Sequence, residues 1–274
     1  MFSKRFASLV FIFLCCTPMS RQQKELQPII NTWNFEKSPV WADEFETGVK
    51  PDPTKWGYDT GGHGWGNNEL QFYTAGENVF IENGILILEA RKEEKDNNRY
   101  TSTRLISKNK GDFLYGRFEA RARMPKGRGL WPAIWMLPTD WAYGNWPASG
   151  EIDIMEQVGF DPNTIHMSVH TEAYNHIAGT QKTAFTQLPS ATDSFHIYRV
   201  DWTPEFIKGY IDDILLFSFL NENKEYKTWP FDKRFHWLLN LAVGGNWGGQ
   251  KGVDETIFPS RFEIDYVRVF KLIQ

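Results

Sequence analysis

Gly150-Glu151-Ile152-Asp153-Ile154-Met155-Glu156 carries three carboxylates inside a run that is otherwise apolar. Two isoleucines, a leading glycine and the exit Gln157-Val158-Gly159 favour a strand over a helix, because branched side chains suit a pleated surface and glycines bound the run. On a strand, Glu151 and Asp153 share one face while Ile152 and Ile154 take the other. Strict alternation then sets Met155 beside the acids and Glu156 among the isoleucines, where an unpaired carboxylate costs several kcal/mol. One extra residue at Ile154 or Met155, a β-bulge, moves everything after it by one face and returns Glu156 to the other acids. The stretch therefore predicts a bulged strand with three carboxylates on one side.

Like charges crowded together raise each other's pKa values, and folds keep such clusters mainly where one acid must be protonated and another ionised. Two glutamates that lean toward each other across a shorter aspartate suit a retaining glycosidase, whose nucleophile and acid/base stand about 5–5.5 Å apart. The competing reading of the same spacing is a surface strand with solvated acids, or with one acid paired to an arginine.

The chain has 274 residues, enough for one large all-β domain, and a net charge of −4, which gives no broad attraction for nucleic acid or anionic membrane. Aromatic residues reach 16%, with 12 tryptophans, more than core packing needs if some sit on loops. Residues 1–20 read as an export signal: Lys4 and Arg5 precede an apolar run, Phe6 to Cys16, too short to span a bilayer. That places the protein outside the cytoplasm, secreted, periplasmic or at the cell surface. Lipidation at Cys15 or Cys16, the only cysteines, is the lesser alternative, since Ile12-Phe13-Leu14 lacks the small residues of such sites. Residues 21–32 read as a polar spacer and residues 33–274 as a single domain.

From Trp33 onward, short strands and turns follow each other. Asn83-Gly84 between apolar runs marks a hairpin, and Asp212-Asp213 marks another turn. Asp112–Arg123 alternates between two faces, and Pro230 to Arg234 is expected to form one helical turn. Gly61–Asn68 is a loop by composition and presents Trp65 and Asn67, while Gly244–Gly249 presents Trp247. In Leu130–Pro138 two prolines exclude a helix, and a strand puts Trp131 and Trp135 on one face. His166, Ser168 and His170 share a face of the next strand, where a histidine could meet the general acid. About a dozen short strands without a long amphipathic helix give an all-β, two-sheet antiparallel sandwich. The sequence shows no zinc-type Cys/His cluster and no serine-hydrolase motif.

These residues resemble the family 16 glycoside hydrolases, in particular the bacterial laminarinase (endo-β-1,3-glucanase) branch. The similarity runs from about Trp33 to Phe270. It rests on Gly150-Glu-Ile-Asp-Ile-Met-Glu156, Trp41-Ala-Asp-Glu-Phe45, Asn67-Asn-Glu-Leu-Gln-Phe-Tyr-Thr74, Gly129-Leu-Trp-Pro-Ala-Ile-Trp-Met-Leu137 and Asn240-Leu-Ala-Val-Gly-Gly-Asn-Trp247. It implies a concanavalin-like jelly roll with a concave substrate cleft, Glu151 as nucleophile, Glu156 as acid/base and Asp153 as the residue that tunes the nucleophile. It further implies Trp131, Trp135 and Trp146 as sugar platforms, Asn67 and Arg104 as sugar contacts, Trp247 at the substrate, and His170 as a neighbour of Glu156. A structural calcium bound by Asp265 and a backbone oxygen of Gly84 is also implied, with no cofactor for catalysis. Thr103 before Arg104 and Asp212-Asp213 depart from the family pattern.

The expected activity is retaining endo-hydrolysis of a β-1,3-glucan by a monomer. The alternatives are another polysaccharide of the family's range, such as mixed-linkage glucan, agarose or carrageenan, and a non-catalytic carbohydrate-binding sandwich.

Overall fold

The acidic stretch forms the strand Glu151–Glu156, third from one edge of a sheet. The computed structural model describes residues 33–273, so the export signal, the spacer and both cysteines lie outside the described residues. In order across that sheet stand Lys182–Gln187, Thr164–His170, Glu151–Glu156, Leu130–Pro138, Phe235–Val243, Arg104–Ile106 and Gly57–Asp59, with Asp112–Phe113 also paired to Phe235–Val243. A second sheet packs Ile214–Leu220, Phe206–Ile211, His196–Trp202, Gly116–Arg123, Ser260–Phe270, Ile85–Ala90 and Val79–Glu82, with Trp41–Asp43 beside Ser260–Phe270. All pairings within both sheets are antiparallel; among the described residues a parallel pair occurs only between Gln71–Tyr73 and Tyr100–Ser102. This is the expected all-β sandwich.

Side-chain alternation explains why two layers form. Ile165, Met167 and Val169, Ile134 and Met136, and Trp237, Leu239 and Leu241 turn inward from the first sheet. Phe118, Ala120, Tyr198, Val200, Trp202 and Ile264 meet them from the second. Their large rings interlock edge to face: Phe118 and Trp237 at 5.5 Å, Trp202 and Phe235 at 5.3 Å. Gly209 allows a close approach of the layers, since a Cβ there would come within 2.5 Å of the Met167 sulfur.

The acidic strand is bulged where the apolar pattern requires it. Asp153 pairs with Ser168 and Glu156 with His166, so Ile154 and Met155 together stand opposite Met167 alone. The register against Leu130–Pro138 slips at the same place, between Ile134 and Trp135. Ile152, Ile154 and Met155 are all in the core. The extra residue thus seats two consecutive apolar side chains inward and lets Glu156 rejoin Glu151 and Asp153.

Two expectations change. Asp112–Arg123 is two strands, because Tyr115 takes a positive φ of 60° and turns the chain between Phe113 and Gly116. Residues 230–234 form bends and no helix; Phe231 is fixed in the core and the strand begins at Phe235. The helical turn among the described residues is Glu255–Ile257, capped by the Asp254 carboxylate. The two hairpins form as read, with Asn83–Gly84 and Asp212–Asp213 all at positive φ.

Gly150 sets the entry into the acidic strand. Its φ is 87°, and a Cβ there would stand 2.8 Å from Pro230 and 2.9 Å from Phe231. Gly150→Ala is expected to lose about 1–3 kcal/mol of stability through strain and overpacking. Urea unfolding of the two proteins measures this, and an unchanged midpoint would contradict it.

Candidate active site

On the face away from the core, the first sheet displays a continuous set of polar and aromatic side chains. Glu151, Asp153 and Glu156 occupy its middle, flanked by Trp131 and Trp135 from one neighbouring strand and by His166, Ser168 and His170 from the other. Each outer glutamate receives an indole N–H: Trp146 donates to Glu151 Oε2 at 2.9 Å, and Trp131 donates to Glu156 Oε1 at 3.1 Å. Trp146 rides on the loop that leads into the acidic strand, so the catalytic candidates and one of their donors share a short segment.

His170 corrects one expectation. Its Nε2 lies 3.3 Å from Asp153 Oδ2 and 3.8 Å from Glu151 Oε1, and in register it stands opposite Glu151. The residue opposite Glu156 is His166. Antiparallel pairing reverses the order of the two strands, and that order cannot be read from the His-x-Ser-x-His alternation alone.

Electrostatics follows from burial. Only 3% of Asp153 is exposed. Burial pushes Asp153 up to about 8, opposed by a hydrogen bond with Glu151. Burial, then the Asp153 charge, raises Glu156 to about 8, opposed by His170 and the Trp131 N–H. Glu151 is driven upward by burial and by Asp153, and is drawn back by His170 and Trp146. The three acids share a limited number of charges and titrate as a group. The contact between Asp153 and Glu151 couples their protons, while Glu156, raised to about 8, holds its own proton near neutrality.

The opposite flank is locked by a hydrogen-bond chain. Trp135 Nε1 donates to Asn240 Oδ1 at 2.6 Å, Asn240 Nδ2 to Tyr73 OH at 3.2 Å, and Tyr73 OH to Glu69 Oε2 at 3.0 Å. Asn67 Nδ2 ends the chain on Glu69 Oε1 at 3.3 Å, and Gln71 Nε2 donates to Glu69 Oε2 at 2.7 Å. The Arg104 guanidinium lies between the rings of Trp65 and Trp135, at 4.8 and 4.7 Å, and pairs with Asp59 at 3.1 Å. Trp247 stands edge-on to both Trp131 and His166, at 5.5 and 4.9 Å.

The structure thus gathers Asn67, Arg104, Trp131, Trp135, Trp146, His170 and Trp247 around the three acids. Trp65, Glu69, Tyr73 and Asn240 were not among the expected site residues. The period-two run Glu69, Gln71, Tyr73 after a glycine loop was the available signal. Asp265 and Gly84 lie elsewhere, on the second sheet and at its hairpin turn. Arg121 holds the Asp265 carboxylate. Among the described residues, Glu151, Asp153 and His170 are the group of three that could approach a metal ion.

Carboxylates whose folded pKa is raised stabilise the fold fully below their unfolded values and lose that contribution as pH rises through the folded ones. Stability is therefore expected to fall between about pH 4.5 and 8 from Asp153 and Glu156. Glu156→Gln removes part of this slope: it should melt above the parent protein at pH 9 and close to it at pH 4. Calorimetry across this range tests the assignment, and parallel melting curves for both proteins would refute it.

The sequence pattern of "Glycosyl hydrolases family 16" matches residues 66–268. A beta-glucanase of Rhodothermus marinus is 47% identical over 280 residues, covering 99% of this chain and 96% of that protein. A glucan endo-1,3-beta-glucosidase of Cryptopygus antarcticus is 37% identical over 249 residues, covering 83% of this chain and 90% of its own. The solved laminarinase of Rhodothermus marinus aligns with a TM-score of 0.86 at 50% identity, over 89% of this chain and 100% of that one. The bulged acidic strand, its indole donors and this similarity along the whole described fold lead to one conclusion: the chain belongs to family 16 of the glycosyl hydrolases.

Proposed function

We propose that the chain is a retaining endo-β-1,3-glucanase acting on laminarin-type polysaccharide, with residues 33–274 as a single catalytic domain. The observation that carries this is the bulge that sets Glu151 and Glu156 on one face, each under its own indole N–H. Glu156 gives its proton to the glycosidic oxygen as Glu151 attacks the anomeric carbon, so the C–O bond to the departing sugar breaks and a glycosyl ester forms on Glu151. Glu156, now ionised, takes a proton from water; the resulting hydroxyl attacks the same carbon and frees Glu151. Trp146 and Asp153 stabilise the Glu151 carboxylate before attack and after release. The similarity to a glucan endo-1,3-beta-glucosidase and to a laminarinase supports the β-1,3 linkage.

Mixed-linkage glucan is the nearest alternative, since the acids would serve either linkage. Sulfated galactans fit less well: Arg104 is already held by Asp59 and two indoles, leaving it a poor sulfate ligand. Calcium at Asp265 and Gly84 fits poorly too, because Arg121 already neutralises that carboxylate and calcium needs six to eight oxygens. No step of the reaction is assigned to a metal. Export by residues 1–20 and action as a monomer complete the proposal.

Incubation with laminarin, lichenan, agarose and carrageenan, with products weighed, tests the substrate; laminarin should be cut fastest, to short oligosaccharides. Glu151→Ala should abolish turnover, and hydrolysis surviving that change would overturn the catalytic assignment. Glu156→Gln should lower turnover of laminarin by about 10²- to 10⁴-fold while still releasing a good phenolate leaving group that needs no proton. Parent activity should decline as pH rises through about 8, where Glu156 loses its proton.

A further inference from the structure

Phe185 is 65% exposed, an unusual position for a phenylalanine unless something covers it in use. It sits on the edge strand Lys182–Gln187, whose Ala184 packs toward the core, so Phe185 points to the same side as the acids. Register makes the connection direct: Glu156 stands opposite His166, and His166 opposite Phe185. The His166 and Phe185 rings stack at 5.3 Å with 30° between their planes, and Trp247 meets the His166 ring at 4.9 Å in an edge contact. An aromatic shelf therefore leads outward from the acid/base glutamate, reaching about 10 Å, two interstrand spacings of about 4.8 Å. A hexopyranose is about as long as one such spacing.

The two flanks of the acids differ in kind. Toward Arg104 the surface is rigid and rich in hydrogen-bonding groups, suited to holding the glycosyl unit that stays bound through the covalent stage. Toward Phe185 it is an exposed edge on which the His166 and Phe185 rings stack between the side chains of Thr183 and Gln187, suited to a unit that must leave before water enters. Building on the glucanase reading above, we propose that Phe185, held by His166, is a binding platform for the β-linked glucose units of the departing, reducing-end part of the chain. The apolar face of a sugar ring lies on the exposed phenyl ring and adds affinity on that side only. Phe185 is thus a specificity residue for where along a chain the cut falls, without a part in bond breaking.

The test compares the parent protein with Phe185→Ala and Phe185→Trp on a β-1,3-linked glucohexaose labelled at its reducing end, and on an aryl β-1,3-oligoglucoside whose leaving group is the phenolate. Phe185→Ala should raise KM for the hexaose by about 3- to 10-fold, the scale of one aromatic contact. It should also move cleavage toward the reducing end, because frames with fewer departing units lose least. Turnover of the aryl substrate should change by less than about twofold, and Phe185→Trp should restore the parent pattern. Unchanged cleavage frames, a shift toward the non-reducing end, or equal losses on both substrates with an unaltered melting temperature would each overturn the proposal. If the parent protein cuts mixed-linkage but not β-1,3-linked oligosaccharides, the linkage reading fails; the same three proteins on the accepted oligosaccharide then decide the role of Phe185.

Discussion

The constraint on which the rest of this structure depends is that two consecutive apolar residues, Ile154 and Met155, are both buried in the core of a strand whose other face carries three acids. A regular pleat cannot do this. A bulge can, and by absorbing one residue it converts a sequence that would bury Glu156 into a surface with Glu151, Asp153 and Glu156 together. The free energy that holds the acids in place is thus that of the hydrophobic layer beneath them. Burial that penalises their charges also leaves them with the shared protons that acid/base chemistry requires.

Around this centre, the support is asymmetric. On one side, Trp135, Asn240, Tyr73, Glu69 and Asn67 form an unbroken hydrogen-bonded chain, and Arg104 is fixed between indoles. A change at any member strands a buried polar partner, which is costly in a dry environment. On the other side, His166, Trp247 and Phe185 touch mainly through ring contacts, which tolerate rotation and displacement. The indole N–H groups of Trp131 and Trp146 link the two halves at the glutamates themselves.

The bulge was legible in the sequence because its alternative carries a definite cost, an unpaired carboxylate in an apolar layer. The shared face of Trp131 and Trp135 was legible for the same kind of reason, since prolines excluded the helix. Pairings between distant segments were not. Trp135 meets Asn240 across 105 residues and Asn240 meets Tyr73 across 167, and no local period encodes such contacts. His170 illustrates the boundary: its facing was readable, but the partner it faces depends on register with another strand. Likewise, the bends after Pro230 follow from the burial of Phe231, a tertiary demand that outweighs local propensity.

Lys182–Gln187 ends its sheet, bordered by a partner strand on one side only. Residues there contribute little to the core, so exchanging them disturbs folding far less than exchanging Asn240 or Tyr73 would. An architecture of this kind can diversify cheaply along one margin while its chemistry and its opposite flank stay fixed. A substitution on the exposed face of that outlying strand leaves the bulge beneath the acids and the hydrogen-bonded opposite flank untouched.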